Sequence, residues 1–146
     1  MPRHTRYQGA IIDGYRILLI QHREHTSGRS YWVIPGGGIE PGETEEQCVE
    51  REMMEETHLE VAVGRLILDE PGLPGVYRVR KTYLCRPISG KAQPGHEPEL
   101  GGAGDYAISE VRWFDLLDVD AWDTDLQRDK ITYWQVMKIR EALGYI

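Results

Sequence analysis

The chain has 146 residues, 40% of them apolar and 28% charged, enough to bury one core in a single domain expected over residues 1–146. Its formal charge of -7 excludes nonspecific adhesion to DNA, RNA or an anionic membrane, which depends on clustered Lys and Arg; the basic cluster Arg78 to Lys81 is too short to reverse it. The same charge repels phosphate-bearing molecules, so an enzyme of this composition acting on phosphates needs bound cations at its site.

In chain order, the apolar runs GAII and YRILLI flank Asp13-Gly14, a favoured turn pair, and predict a hairpin from about Tyr7 to Gln21. After a polar loop, the short run Tyr31 to Ile34 ends at Pro35 and Gly36, Gly37 and Gly38, where strand gives way to loop. Thr44 and Gln47 match a capping box, so a helix is predicted from near Glu45 to about Thr57. Strand-like GRLILDE and GVYRVRKTYLCRPI follow, split by Pro71, Gly72, Pro74 and Gly75. Gly90 to Ser109 is rich in Gly and Pro, carries Glu97, Glu99 and Asp105, shows no periodicity and reads as a long loop. A last strand at about Glu110 to Phe114 leads to a terminal helix, roughly Asp125 to Ala142. There Ile131, Trp134, Val136, Met137, Ile139 and Leu143 recur at steps of three and four and are expected in the core. Strands, a central helix, strands and a terminal helix together predict an α/β layered fold with a mixed sheet.

Cys48 and Cys85 are the only cysteines; falling in a helix and a strand, they read as buried free thiols and not as a disulfide framework or a metal pair. The opening MPRHTRYQGAIID has no charged segment followed by a long apolar run, and nowhere do 18 apolar residues succeed one another. A cytoplasmic location is the expectation.

The chemistry concentrates in the central helix. Glu45, Glu46, Glu50, Glu52, Glu55 and Glu56 stand against one base, Arg51. At about 100° per residue, Glu52, Glu55 and Glu56 fall on one face, in the half of the helix where the macrodipole disfavours anions. A solvated acidic face is the ordinary reading of such a run. The sharper one is a hard divalent cation among the carboxylates, since Mg2+ and Mn2+ prefer oxygen ligands and offset the repulsion.

The surrounding segment decides between them. GGIEPGETEEQCVEREMMEETHL, from Gly37 to Leu59, resembles the Nudix box: Gly, five residues, Glu, seven residues, then Arg-Glu-apolar-any-Glu-Glu-any-Gly-apolar. Gly37, Glu43, Arg51, Glu52, Met53, Glu55, Glu56 and Leu59 match eight of its nine specified positions. The resemblance implies a Nudix-type α/β/α sandwich with a mixed β-sheet, a catalytic helix after the Gly-rich loop and a C-terminal helix. It implies that Glu52, Glu55 and Glu56 ligate Mg2+ or Mn2+, with the Gly36 carbonyl as a further ligand. Gly36, Gly37 and Gly38 then bring backbone close to metal or phosphate, and Glu43 with Arg51 holds loop against helix and orients the ligating Glu. The one departure is His58, in place of the box's second Gly. That position ends the helix with positive φ, which His adopts more readily than most bulky residues, so the helix end and not the metal cluster is affected.

The activity implied is metal-dependent hydrolysis of a pyrophosphate linkage in a nucleoside diphosphate joined to another moiety, such as an ADP-sugar or a dinucleotide. The partner is a small molecule, without nucleic acid or membrane. Glu52, Glu97, Glu99 and Glu110 are the candidates for general base, Glu110 because it precedes VRWF, similar to a late strand of the family. Arg23, Tyr31, Trp32 and Tyr77 are candidates for base or phosphate contacts, although aromatics at strand positions are usually core. Pro74 stands at about the distance downstream where ADP-ribose-cleaving members carry Pro. A MutT-like nucleoside triphosphate pyrophosphohydrolase is the alternative on the same fold, and a non-catalytic nucleotide-sensing module is the alternative of another class. Family members often form homodimers, and an acidic single domain neither requires nor forbids one.

Overall fold

The structure, a computed structural model, describes residues 3–95 and 106–145. Strand β1 (Arg3–Asp13) and strand β2 (Arg16–Glu24) form the predicted hairpin, but the turn is displaced by one residue. Asp13 pairs with Arg16, so the two-residue loop is Gly14-Tyr15, with Gly14 supplying the positive φ of 63°. Beyond Ile12 and Ile17 the two strands part company. Strand β1 runs antiparallel to β4 (Gly36–Gly37) and parallel to β6 (Tyr77–Ser89), which in turn pairs with β5 (Glu60–Pro71). Strand β2 lies between β3 (Ser30–Val33) and β7 (Tyr106–Asp115). The sheet is therefore mixed, as the sequence predicts, and it splays into two wings from the hairpin end.

Side-chain alternation along these strands divides the core into two layers. Ile17 and Leu19 on β2 and Ala10 on β1 join Trp32, Phe114, Trp122, Leu126, Val136 and Ile139. Leu18 and Ile11, one residue out of phase, join Cys48, Val49 and Met53 on helix α1 (Glu45–Thr57). Helices thus cover both faces of the sheet. The Thr44–Gln47 capping box is present with both reciprocal bonds, and α1 ends at His58 in the left-handed conformation, φ 62°, as its place in the motif demands.

Three expectations need correction. The terminal helix is two helices, α2 (Thr124–Gln127) and α3 (Thr132–Ala142), because Asp129 accepts hydrogen bonds from the N–H groups of Ile131 and Thr132 and restarts the helix there. The apolar stripe consequently divides: Val136 and Ile139 are buried, whereas Ile131 and Trp134 are exposed. Strand β7 begins at Tyr106 and not near Glu110. A bulge at Gln21/His22 lets Ala107 and Ile108 continue the ladder where no apolar alternation announces it. Glu97, Glu99 and Asp105 lie outside the described residues.

Cys48 and Cys85 are buried and share no disulfide, and burial pushes the Cys85 thiol up to about 12. Among the described residues no helix is long and apolar enough to cross a membrane.

Candidate functional site

The second half of the central helix turns its glutamates inward, while Glu46 and Glu50 are exposed. Glu52 and Glu56 are fully buried, and the Glu55 side chain is 22% exposed, which is not the pattern of a solvated acidic face. Strand β4 is threaded against them. The Gly36 N–H donates to Glu56 Oε1 at 2.7 Å, and a Cβ on Gly37 would stand 2.3 Å from Glu52 Oε2. Only a residue without a side chain lets backbone and carboxylate come so near, which is the physical need behind glycine at this point of the motif.

Arg51 organises the cluster. Its Nε and Nη2 donate to the two Glu43 oxygens at 2.7 and 3.0 Å, its Nη1 to Glu52 at 2.7 Å and Glu55 at 3.1 Å, and its Nη2 to the Gly38 carbonyl at 2.9 Å. With Glu40 Oε1 also 3.5 Å from Nη1, one base thus answers four carboxylates and ties loop 38–43 to the helix. With the Arg51 and Glu43 side chains only 20% and 15% exposed, this bidentate pair is better shielded than an ordinary surface ion pair. Among the described residues no three acidic, His or Cys side chains converge as a finished metal-ligand set. The glutamates are instead shared between the Arg51 guanidinium and the Gly36 N–H.

Electrostatics fix the rim of the helix as well. The Arg51 guanidinium, helped by the Glu40 backbone and opposed by burial, holds the Glu43 carboxyl below its usual value of 4.5. The Tyr83 hydroxyl, with Lys81 behind it at 3.2 Å, does the same for Glu45. A depressed folded-state value means that the Glu43 contribution is complete above about pH 4.5 and lost as pH falls through the folded value. The stability difference between wild type and Glu43→Gln, read from urea midpoints, should therefore be constant near neutrality and vanish in acid; a difference that persists in acid would show that charge is not the cause. On the alkaline side, Tyr83 is raised chiefly by burial, so its contribution is complete below its ordinary value of 10.0 and lost as pH rises above it.

Beside the cluster lies a cleft of about 260 Å³. Arg6 and Gln8 of β1, His22 of β2, Tyr31 and Val33 of β3, Gly37 and Arg80 wall it, while Tyr77 and the start of α3 close it. Of the aromatic candidates, Tyr31 and Tyr77 face this cleft, whereas Trp32 is buried in the core under the Arg112 guanidinium and against Phe114. Arg23 and Pro74 are exposed. Glu110 is engaged by Arg112 at 2.8 Å, in a network that continues to Asp123 and not to the glutamates of α1. The sequence reading misses Arg6, Gln8, His22, Arg80 and Gln135, which converge from four separate elements. The only signal in the sequence is polar Arg6 and Gln8 alternating with Tyr7 and Gly9 on an otherwise core strand.

A family model, the NUDIX domain, matches residues 3–135. The chain belongs to the Nudix family. Its fold is the Nudix α/β/α sandwich, shared with a NUDIX hydrolase from Nitrosomonas europaea at a TM-score of 0.72 and 18% identity, over 95% of this chain and 89% of that one. A Mycobacterium tuberculosis protein named "Putative 8-oxo-dGTP diphosphatase 2" is 31% identical over 124 residues, 82% of this chain and 85% of its own length. The NAD-capped RNA hydrolase NudC of Vibrio atlanticus is 35% identical over 109 residues, 73% of this chain but 35% of its own. This Nudix chain therefore spans about a third of the length of that relative. Of the box residues, Glu43, Glu52, Glu55, Glu56 and Gly37 gather around Arg51 and the β4 backbone, while Met53 and Leu59 pack in the core.

Proposed function

We propose that this Nudix domain, as one unit, hydrolyses the pyrophosphate linkage of a nucleoside diphosphate joined to another moiety, on small nucleotides of the cytoplasm. The observation that carries this reading is the placement of fully buried Glu52 and Glu56 against the backbone of Gly36 and Gly37, at the edge of a cleft large enough to receive part of a nucleotide.

The donor set fits a hard divalent cation. Glu52, Glu55 and Glu56 supply carboxylate oxygens and the Gly36 carbonyl a neutral one, and the Arg51 Nη1 already bonded to Glu52 and Glu55 supports reading the patch as a place for positive charge. Mg2+ or Mn2+ bound there supplies neutralisation of phosphoryl oxygens and a water of lowered pKa. The chain's own residues do the positioning. Arg51, anchored on Glu43 and Gly38, fixes the rotamers of Glu52 and Glu55, and the cleft walls hold the nucleoside so that the linkage lies over α1. For the base the candidates are Glu52, Glu97, Glu99 and Glu110; Glu110 enters with its carboxylate held by Arg112. Single Gln variants read through pH–rate profiles assign it, the base being the variant that loses the acidic limb.

Gly37→Ala tests the geometry. The new Cβ forces Glu52 to move although Arg51 holds it at 2.7 Å, so turnover should fall about a hundredfold. A stability loss of about 1–3 kcal/mol should accompany it. Unchanged kcat would mean that the Glu52 position is irrelevant to the reaction.

Two relatives favour different substrates. The NudC relative, named for NAD-capped RNA, supports a dinucleotide linkage, with the charge of -7 weighing toward the small molecule and not the polymer. The mycobacterial relative, covered over 85% of its length, supports a MutT-like reaction on a nucleoside triphosphate. Incubation with Mg2+ and NAD, ADP-ribose, dATP or 8-oxo-dGTP, followed by product analysis, separates them. Two monophosphate fragments are expected from a nucleoside diphosphate derivative, and pyrophosphate release would establish the triphosphatase. Binding without turnover on every compound would instead make the chain a sensing module.

A further inference from the structure

Two arginines stand side by side in the wall of the cleft. Strands β1 and β6 run parallel with Arg6 paired to Arg80, and both line the cleft. Arg6 is 9% exposed and the Arg80 side chain 12%. Like charges directly opposite on neighbouring strands are destabilising, and burying guanidinium groups adds a desolvation cost.

The surroundings hold Arg80 without fully neutralising it. Glu70 Oε2 lies 3.8 Å from Arg80, but that oxygen also receives Lys138 Nζ at 2.9 Å, while Gln135 holds Glu70 Oε1 at 3.2 Å. Among the described residues the buried Arg80 Nε has no hydrogen-bond partner. Arg6 Nη2 donates to the Ile34 carbonyl at 3.1 Å, which fixes the direction of its guanidinium. Asp129, which also lines the cleft, accepts from the N–H groups of Ile131 and Thr132. The pair also has an address: Gly37, on which the Glu52 carboxylate packs, is paired with Tyr7, the residue next to Arg6.

We propose that Arg6 and Arg80 form a metal-independent phosphate position in the cleft. A phosphoryl group of the substrate, or of the nucleoside monophosphate it yields, rests on the two guanidinium groups while the linkage to be cut lies at the glutamates of α1. This deepens the function proposed above and rests on it for the cleft as the substrate site. The planar donors of Arg suit phosphate oxygens, and the charge pair explains how an acidic protein gathers an anion before any cation is bound.

Calorimetric titration of the full chain in EDTA tests it, using AMP, adenosine and inorganic phosphate. In the wild type AMP should bind about tenfold or more tightly than adenosine, and inorganic phosphate should compete with AMP. That preference should be lost in Arg6→Gln and Arg80→Gln, reduced in Arg80→Lys, and kept in Arg65→Gln, at an exposed β5 position outside the cleft lining, with thermal melting to establish that each variant is folded. Equal affinity for AMP and adenosine in the wild type, which involves no variant, overturns the proposal; so does an AMP preference that survives in both Gln variants. Because no turnover is measured, inactivity toward every nucleotide would count against the hydrolase reading alone.

Discussion

Glu56→Gln should lower metal-dependent turnover about a thousandfold and leave the melting temperature of the metal-free protein within a few degrees of wild type. Glu56 is fully buried, and its Oε1 accepts from the Gly36 N–H at 2.7 Å. A Gln keeps a carbonyl oxygen for that bond, so the contact between β4 and α1 survives. What disappears is the negative charge that a hard cation requires. Several kcal/mol of transition-state stabilisation, at about 1.4 kcal/mol per factor of ten, gives the thousandfold. Removing a buried charge is not itself destabilising, so the metal-free variant should melt at or slightly above the wild-type temperature. Added Mg2+ should then raise the melting temperature of the wild type more than that of the variant. The check is kcat at saturating Mg2+ beside thermal unfolding with and without the metal; wild-type kcat in the variant would remove Glu56 from the site.

Arg51→Ala should be the most destabilising single change in the box, by about 3–5 kcal/mol. The guanidinium is bonded to Glu43, Glu52, Glu55 and the Gly38 carbonyl, and its removal leaves the fully buried Glu52 without that counter-charge. This is a large part of the 5–15 kcal/mol typical of a small domain. Arg51→Lys should recover only part of it, since an ammonium cannot make the bidentate bond to Glu43 while also reaching Glu52. Mg2+ should narrow the gap between Arg51→Ala and wild type, because cation and guanidinium answer the same carboxylates. Urea midpoints of the three proteins, with and without Mg2+, provide the measurement. A loss under about 1 kcal/mol in Arg51→Ala would make the network no more than a surface ion pair.

Local rules made much of this molecule readable in advance. The capping box set the start of α1, the His58 position set its end, and box spacing brought Gly37, Glu43, Arg51 and Glu52 into one cluster, because all of these act within about twenty residues of chain. What stayed hidden depends on register and tertiary context. Strand β7 is extended to Tyr106 by pairing with β2 across a bulge, which nothing in the composition of 106–109 reveals. The break between α2 and α3 turns on the Asp129 side chain, which accepts from the N–H groups of Ile131 and Thr132 inside one apolar pattern. The cleft was least legible of all. Arg6 and Arg80 meet only because β1 and β6 are parallel neighbours, and 74 positions separate them in the chain. Trp32 reads equally well as a stacking surface or as core until its burial against Phe114 is seen.

A divalent cation is the proposed reason for burying Glu52 and Glu56 side by side. Mn2+ binding followed by electron paramagnetic resonance, in wild type and in a Glu52→Gln/Glu56→Gln double variant, each with a non-hydrolysable nucleotide analogue, tests it most directly. The wild type should take up Mn2+ saturably, Mg2+ should displace it, and the folded double variant should take up none. Equal uptake by both proteins, or none by the wild type with nucleotide present, would contradict it.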